Sequence, residues 1–138
     1  MRTLTAFFLA LLLAVPAAAA PHQGAIASAH PLATEAGFEV LAAGGNACDA
    51  AVAVSAALAV VEPVSSGIGG GGFYLIQRRG GQALFVDARE TAPQSATRDM
   101  YLGADGQPVR QKSLDGPLAA GIPGEPAALV HLTRRCGR

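Results

Sequence analysis

Four consecutive glycines, Gly69 to Gly72, lie within Ser65-Ser66-Gly67-Ile68-Gly69-Gly70-Gly71-Gly72-Phe73. Glycine loses more backbone freedom on folding than any other residue, so such a cluster needs a compensating contact. That contact can be a positive φ, close approach of another backbone segment, or N–H groups gathered around an anion. Gly67, Gly69 and Gly72 also spell G-x-G-x-x-G. A dinucleotide fingerprint carries that pattern between a strand and a helix, so the flanks decide its meaning.

Upstream, Asn46 is a strong helix N-cap and Asp49 stands three positions on, the arrangement of a capping box. Ala50 to Val61 is apolar apart from Ser55, which predicts a helix buried on nearly all sides, stopped by Glu62-Pro63. Downstream, Phe73 to Arg78 and Ala83 to Ala88 are β-rich and separated by Gly80-Gly81, which predicts a hairpin. Both strands are apolar enough that cover is expected on each face. Helix, glycine loop, hairpin is the wrong polarity for a Rossmann fingerprint, and it also argues against a phosphate cradle at a helix N-terminus. Close backbone packing remains the expected reason for the glycines.

Elsewhere, Gln23 to Ala29 is small and apolar and reads as a short buried strand. Pro31 suits the first position of a helix. From Leu32 to Ala43, Ala33, Ala36, Gly37, Val40 and Leu41 share one face, and Gly44-Gly45 closes the helix. Thr91 to Gln111 is polar and loop-like, with turns near Arg98 to Tyr101 and at Ala104-Asp105-Gly106. Glu125 to Arg135, with Pro126 in its first turn, reads as a helix that begins shortly before the sequence stops, and the chain is expected to be cut short.

Arg2, an apolar stretch from Leu4 to Val15 and alanines to Ala20 match the plan of a secretory signal peptide, expected over residues 1–19. The apolar core is too short for a membrane anchor, which needs roughly 20 residues. Residues 20–138 are expected to be the N-terminal part of a single domain, exported to the periplasm or the medium. The formal charge is zero and Lys112 is the only lysine, so no basic field for nucleic acid exists. Export would allow Cys48 and Cys136 to pair, but the favoured reading is a buried free Cys48 in an apolar helix. His22, His30 and His131 form no metal-ligand spacing, so no metal is expected.

Several segments in register carry a resemblance: Glu35-Ala36-Gly37, then Gly44 to Ala53, then Gly69 to Phe73, then Asp87-Ala88-Arg89-Glu90-Thr91-Ala92-Pro93. Arg98 to Tyr101 and Gly121-Ile122-Pro123-Gly124 follow in the same order. From about Gly24 to Leu132 the chain resembles the γ-glutamyltransferases (γ-glutamyltranspeptidases). The resemblance implies an α+β fold, the Ntn-hydrolase αββα sandwich, with only its N-terminal portion present. It implies a self-cleaving precursor whose new N-terminal threonine, in the small subunit, is the nucleophile. Substrates would be glutathione or other γ-glutamyl compounds, with transfer to amino acids, peptides or water and with no cofactor.

No residue here maps onto that threonine, and Thr97 and Thr133 are not at a processing site. One functional residue carries over: Arg89, expected to grip the α-carboxylate of the γ-glutamyl substrate through a two-pronged guanidinium contact. From spacing alone, Arg89 would instead be a surface arginine paired with Asp87 or Glu90. Two further readings stay open: a non-catalytic exported remnant that at most binds a γ-glutamyl ligand or a partner subunit, and a family member specialised as a glutaryl β-lactam acylase.

Overall fold

Helix α1 (Pro31–Ala42) begins where its sequence is equipped to begin. His30 is extended and its Nδ1 accepts from the Leu32 N–H, while Pro31 fills a position where no N–H is needed. Gly44 ends it at φ 93°, and the Gly45 N–H reaches back to the Val40 carbonyl, a glycine cap. The computed structural model describes residues 24–138, so the expected signal segment 1–19 lies outside the described residues.

Helix α2 (Ala47–Val61) opens on the capping box read from the sequence. Asn46 Oδ1 accepts from the Cys48 and Asp49 N–H groups, and Asp49 Oδ2 accepts from the Asn46 N–H. A Cβ on Gly37 of α1 would lie 2.7 Å from Val54 Cγ2, so the two helices approach closely there. The burial expected of α2 is not observed: Ala50 is its one buried residue and Val60 is 77% exposed. Among the described elements α1 and α3 make its main contacts, and much of its remaining apolar surface is uncovered.

Strands β1 (Gly72–Gln77) and β2 (Ala83–Ala88) form the expected antiparallel hairpin, with Phe73 opposite Asp87 and Gln77 opposite Ala83. Burial alternates along both strands as side chains point to opposite faces. Tyr74, Ile76, Leu84 and Val86 are half-buried, whereas Phe73, Leu75 and Phe85 are exposed on the other face. One face is therefore covered rather than two. A second difference lies at residues 24–29, where no strand forms: Ile26 packs instead on α1 at Gly37, and the described sheet has only two strands.

Residues beyond β2 run through turns and two 3-10 segments (Arg110–Ser113 and Pro117–Ala119) to helix α3 (Glu125–Cys136). Helix α3 supplies half of the buried apolar residues: Ala128, Leu132 and Cys136 are buried with Ala33, Ala50 and Ala88. Its last residue, Cys136, is disulfide-bonded to Cys48 in the first turn of α2, with Cα atoms 5.9 Å apart. The expectation of a free Cys48 is thus corrected. The sequence placed Cys48 in an apolar helix correctly, but the end of α3 is folded back onto that helix start. Asn46 Nδ2 donates to the Cys136 carbonyl at 2.7 Å, and the Arg138 N–H donates to Asp49, so the capping box also anchors this return.

Candidate functional site

Arg89 follows β2 directly, and three glycines determine where its backbone lies. A Cβ on Gly71 would sit 2.2 Å from the Ala88 carbonyl oxygen and 2.7 Å from Arg89 Cα. From the other side, a Cβ on Gly124 would sit 2.0 Å from the same oxygen and 2.7 Å from the Arg89 carbonyl oxygen. A Cβ on Gly121 would fall 2.8 Å from Glu90 Cβ. The Ala88–Arg89 backbone is thus held between two glycine segments at separations no other residue permits. The Thr91 and Ile122 backbones exchange hydrogen bonds at 3.1 and 2.8 Å, fixing the next step of the chain.

This explains Gly71 within the glycine run. None of Gly67 and Gly69 to Gly72 has positive φ, so left-handed backbone is not the reason; close approach at Gly71 is. A strand begins at Gly72, where a Rossmann fingerprint would begin a helix, which removes the dinucleotide reading. The Gly70 carbonyl accepts from the N–H groups of Gly124 and Glu125 at 3.0 and 3.1 Å. Gly124 offers no side-chain cap to α3, and the glycine loop satisfies those first donors instead.

The Arg89 side chain is exposed. Its Nε and Nη2 donate to Asp87 Oδ1 and Oδ2 at 3.1 and 2.9 Å, and the guanidinium carbon lies 4.9 Å from the centre of the Phe73 ring. The guanidinium bond holds the Asp87 carboxyl below the usual carboxylate range, and the same bond raises Arg89. Asp87, rather than Glu90, is therefore the residue that orients the arginine. Asp87 takes the side edge of the fork, so the end edge formed by Nη1 and Nη2 is the one with the geometry to receive a second carboxylate.

Next to this strand end lies an open hollow of about 610 Å³, lined by the glycine loop, Ser55, Tyr74, Glu90 and Glu125. Arg89 does not line it. At its floor, Glu125 is 8% exposed and its carboxyl oxygen Oε1 accepts from both Ser55 Oγ and Tyr74 Oη. Burial pushes the Tyr74 phenol up to about 12, with the hydrogen bond to Glu125 as the second cause.

A γ-glutamyltranspeptidase family model matches residues 33–138, and these include every residue of the Arg89 cradle. The chain belongs to the γ-glutamyltranspeptidase family.

The glutathione hydrolase proenzyme of Escherichia coli (strain K12) is 51% identical over 102 residues, which span 74% of this chain and 18% of that protein. The glutathione hydrolase proenzyme of Pseudomonas sp. (strain A14) is 46% identical over 115 residues, 83% of this chain and 20% of that protein. The crystal structure of Helicobacter pylori γ-glutamyltranspeptidase superposes with a TM-score of 0.79 at 48% identity, covering 83% of this chain and 33% of that one. The chain spans about a fifth of the length of the curated relatives it matches.

The sequence resemblance singled out Arg89 and missed the Ser55–Tyr74–Glu125 cluster. The signal for it was present, since Ser55 is the one polar residue inside an otherwise apolar helix from Ala50 to Val61. Nothing local, however, joins Ser55 to a tyrosine on a strand and a glutamate on the last helix.

Proposed function

We propose that this chain is the leading part of the large subunit of a γ-glutamyltransferase (glutathione hydrolase), an Ntn-type αββα enzyme made as an exported proenzyme. In this reading the chain contributes the α-carboxylate contact of the γ-glutamyl donor, glutathione or a related amide, through Arg89. The nucleophilic threonine and the oxyanion hole would come from the small subunit of the same precursor, since no residue of this chain corresponds to them. The donor's acyl group would pass to that threonine and then to water, an amino acid or a peptide. Alone, the 138 residues would have no transferase or hydrolase activity.

One observation carries this reading: an exposed arginine sits on a backbone clamped from both sides, with one edge of its fork taken by Asp87 and the other available. A rigid element under a bidentate donor is what recognition of a planar carboxylate requires. Lysine keeps the charge and loses the fork.

The test uses a full-length glutathione hydrolase carrying residues 24–138 of this chain in place of its own segment. Arg89→Lys is expected to raise KM for γ-glutamyl donors by about 10- to 100-fold, the worth of one or two charge-assisted hydrogen bonds. The effect should vanish for a donor whose α-carboxylate is replaced by hydrogen. An unchanged KM for the normal donor refutes the assignment.

A further inference from the structure

We propose that Glu125 is a positioning residue for Arg89, acting through the start of α3 and the glycines that clamp the Arg89 backbone. The inference rests on the reading of Arg89 as the carboxylate contact. Glu125 is the first residue of α3, buried to 8% exposure, and its Oε1 is held by hydroxyl groups from two other elements, Ser55 of α2 and Tyr74 of β1. A buried carboxyl that gathers two donors from separate elements fixes their relative placement, because leaving it unpaired is costly. The Glu125 N–H also donates to the Gly70 carbonyl, beside the Gly124 N–H. Gly70 precedes Gly71, and Gly71 and Gly124 are the two glycines pressed against the Ala88–Arg89 backbone.

The links are therefore continuous. Side-chain bonds from Ser55 and Tyr74 hold Glu125; main-chain bonds from Gly124 and Glu125 hold Gly70; Gly71 and Gly124 hold the peptide that carries Arg89. Removal of the Glu125 carboxyl frees the first turn of α3 to shift, and with it one jaw of the clamp. The guanidinium then loses its fixed aim, while the residues expected to perform the chemistry are untouched. Glutamine keeps an acceptor oxygen at the position of Oε1, so it should preserve both hydroxyl bonds.

The experiment uses the same full-length glutathione hydrolase carrying residues 24–138, with Glu125→Ala, Glu125→Gln and Arg89→Lys. Each variant is assayed with a normal γ-glutamyl donor and with one lacking the α-carboxylate. Glu125→Ala is expected to raise KM for the normal donor about tenfold, below the ~10²-fold that a misplacement of about 1 Å can cost. Its kcat should stay within about twofold, and KM for the truncated donor should not change, because only carboxylate recognition is affected. Glu125→Gln should restore the parental constants.

Equal losses on both donors for Glu125→Ala, or no rescue by Glu125→Gln, overturn the proposal. Arg89→Lys separates the two levels: if it too acts equally on both donors, the carboxylate reading itself fails. If it discriminates and Glu125→Ala does not, only the positioning role fails. Should the alanine variant not accumulate in the full-length protein, amide hydrogen exchange in the 138-residue chain provides a second measurement. There Glu125→Ala should speed exchange at Arg89 and Thr91 about tenfold relative to Glu125→Gln, as local opening becomes easier. Equal protection in the two variants overturns the proposal.

Discussion

Replacing Gly71 by alanine, with Gly69→Ala as its control, separates the two general reasons for a glycine run. Neither residue has positive φ, so alanine meets no backbone penalty at either. Both substitutions restrict the unfolded chain alike, a gain of about 0.4–1 kcal/mol that cancels between them. The difference is steric. A Cβ at Gly69 meets nothing within 4 Å, whereas at Gly71 it lands 2.2 Å from the Ala88 carbonyl oxygen and 2.7 Å from Arg89 Cα. An ordinary carbon–oxygen contact lies ~1 Å further out, and both opposing atoms belong to backbone held from behind by Gly124.

Forced overpacking of this kind costs about 1–3 kcal/mol. If the loop retreats instead, the two hydrogen bonds onto the Gly70 carbonyl stretch or break, at about 0.5–1.5 kcal/mol each. By either route Gly71→Ala should be less stable than Gly69→Ala by about 1–3 kcal/mol. Urea unfolding of the oxidised chain at low concentration, followed by circular dichroism, reads this directly. With an m-value of about 2 kcal/mol/M the midpoints should differ by roughly 1 M. Coincident midpoints, or a higher one for Gly71→Ala, would show that the clamp on Arg89 does not exist in solution.

The Cys48–Cys136 disulfide closes a loop of sequence separation 88, so Cys136→Ala or reduction should lower stability by about 2–5 kcal/mol; an unchanged urea midpoint after reduction counts against the pairing. Asn46→Ala removes both the cap of α2 and the bond to the Cys136 carbonyl, and should cost about 1–2 kcal/mol in the same assay, with a loss near zero contradicting the anchoring role. Folding raises the Tyr74 phenol from its ordinary 10.0 to about 12, favouring the neutral form. Its contribution to stability is therefore complete below pH 10.0 and fades as the pH climbs to about 12. A phenolate absorbance titration should show a step near pH 12 that Tyr74→Phe abolishes, and a single step near 10.0 would rule out the buried pairing.

Much of the local architecture was legible because its determinants are neighbours in sequence. Pro31, the Gly44-Gly45 pair, the Asn46–Asp49 box and the Gly80-Gly81 turn each act within about one helical turn or one hairpin connection, and each element they bound is found. The order of helix, glycine loop and strand by itself excludes a nucleotide-binding loop. The strand expected near the N-terminus failed for the converse reason. A short apolar run does not say whether its backbone will find a sheet edge, and Ile26 found a helix groove at Gly37 instead. Arg89 was singled out only through its motif context, since its spacing from Asp87 predicts the ordinary surface pair, which is present.

The sequence alone determined where most helices and strands start and stop, and which family's pattern they follow, because capping, turn chemistry and periodicity are short-range effects. Only the tertiary structure decided which segments meet. It joined Cys48 to Cys136, gave Glu125 its partners Ser55 and Tyr74, and closed Gly71 and Gly124 on the Ala88–Arg89 backbone. These contacts span 17 to 88 positions of chain, taking Gly71 to Ala88 as the shortest and Cys48 to Cys136 as the longest. They depend on how layers pack, which no local window of residues encodes. The glycine run illustrates the division: its cost could be read from composition, and the reason for Gly71 only from the backbone that lies within 3 Å of it.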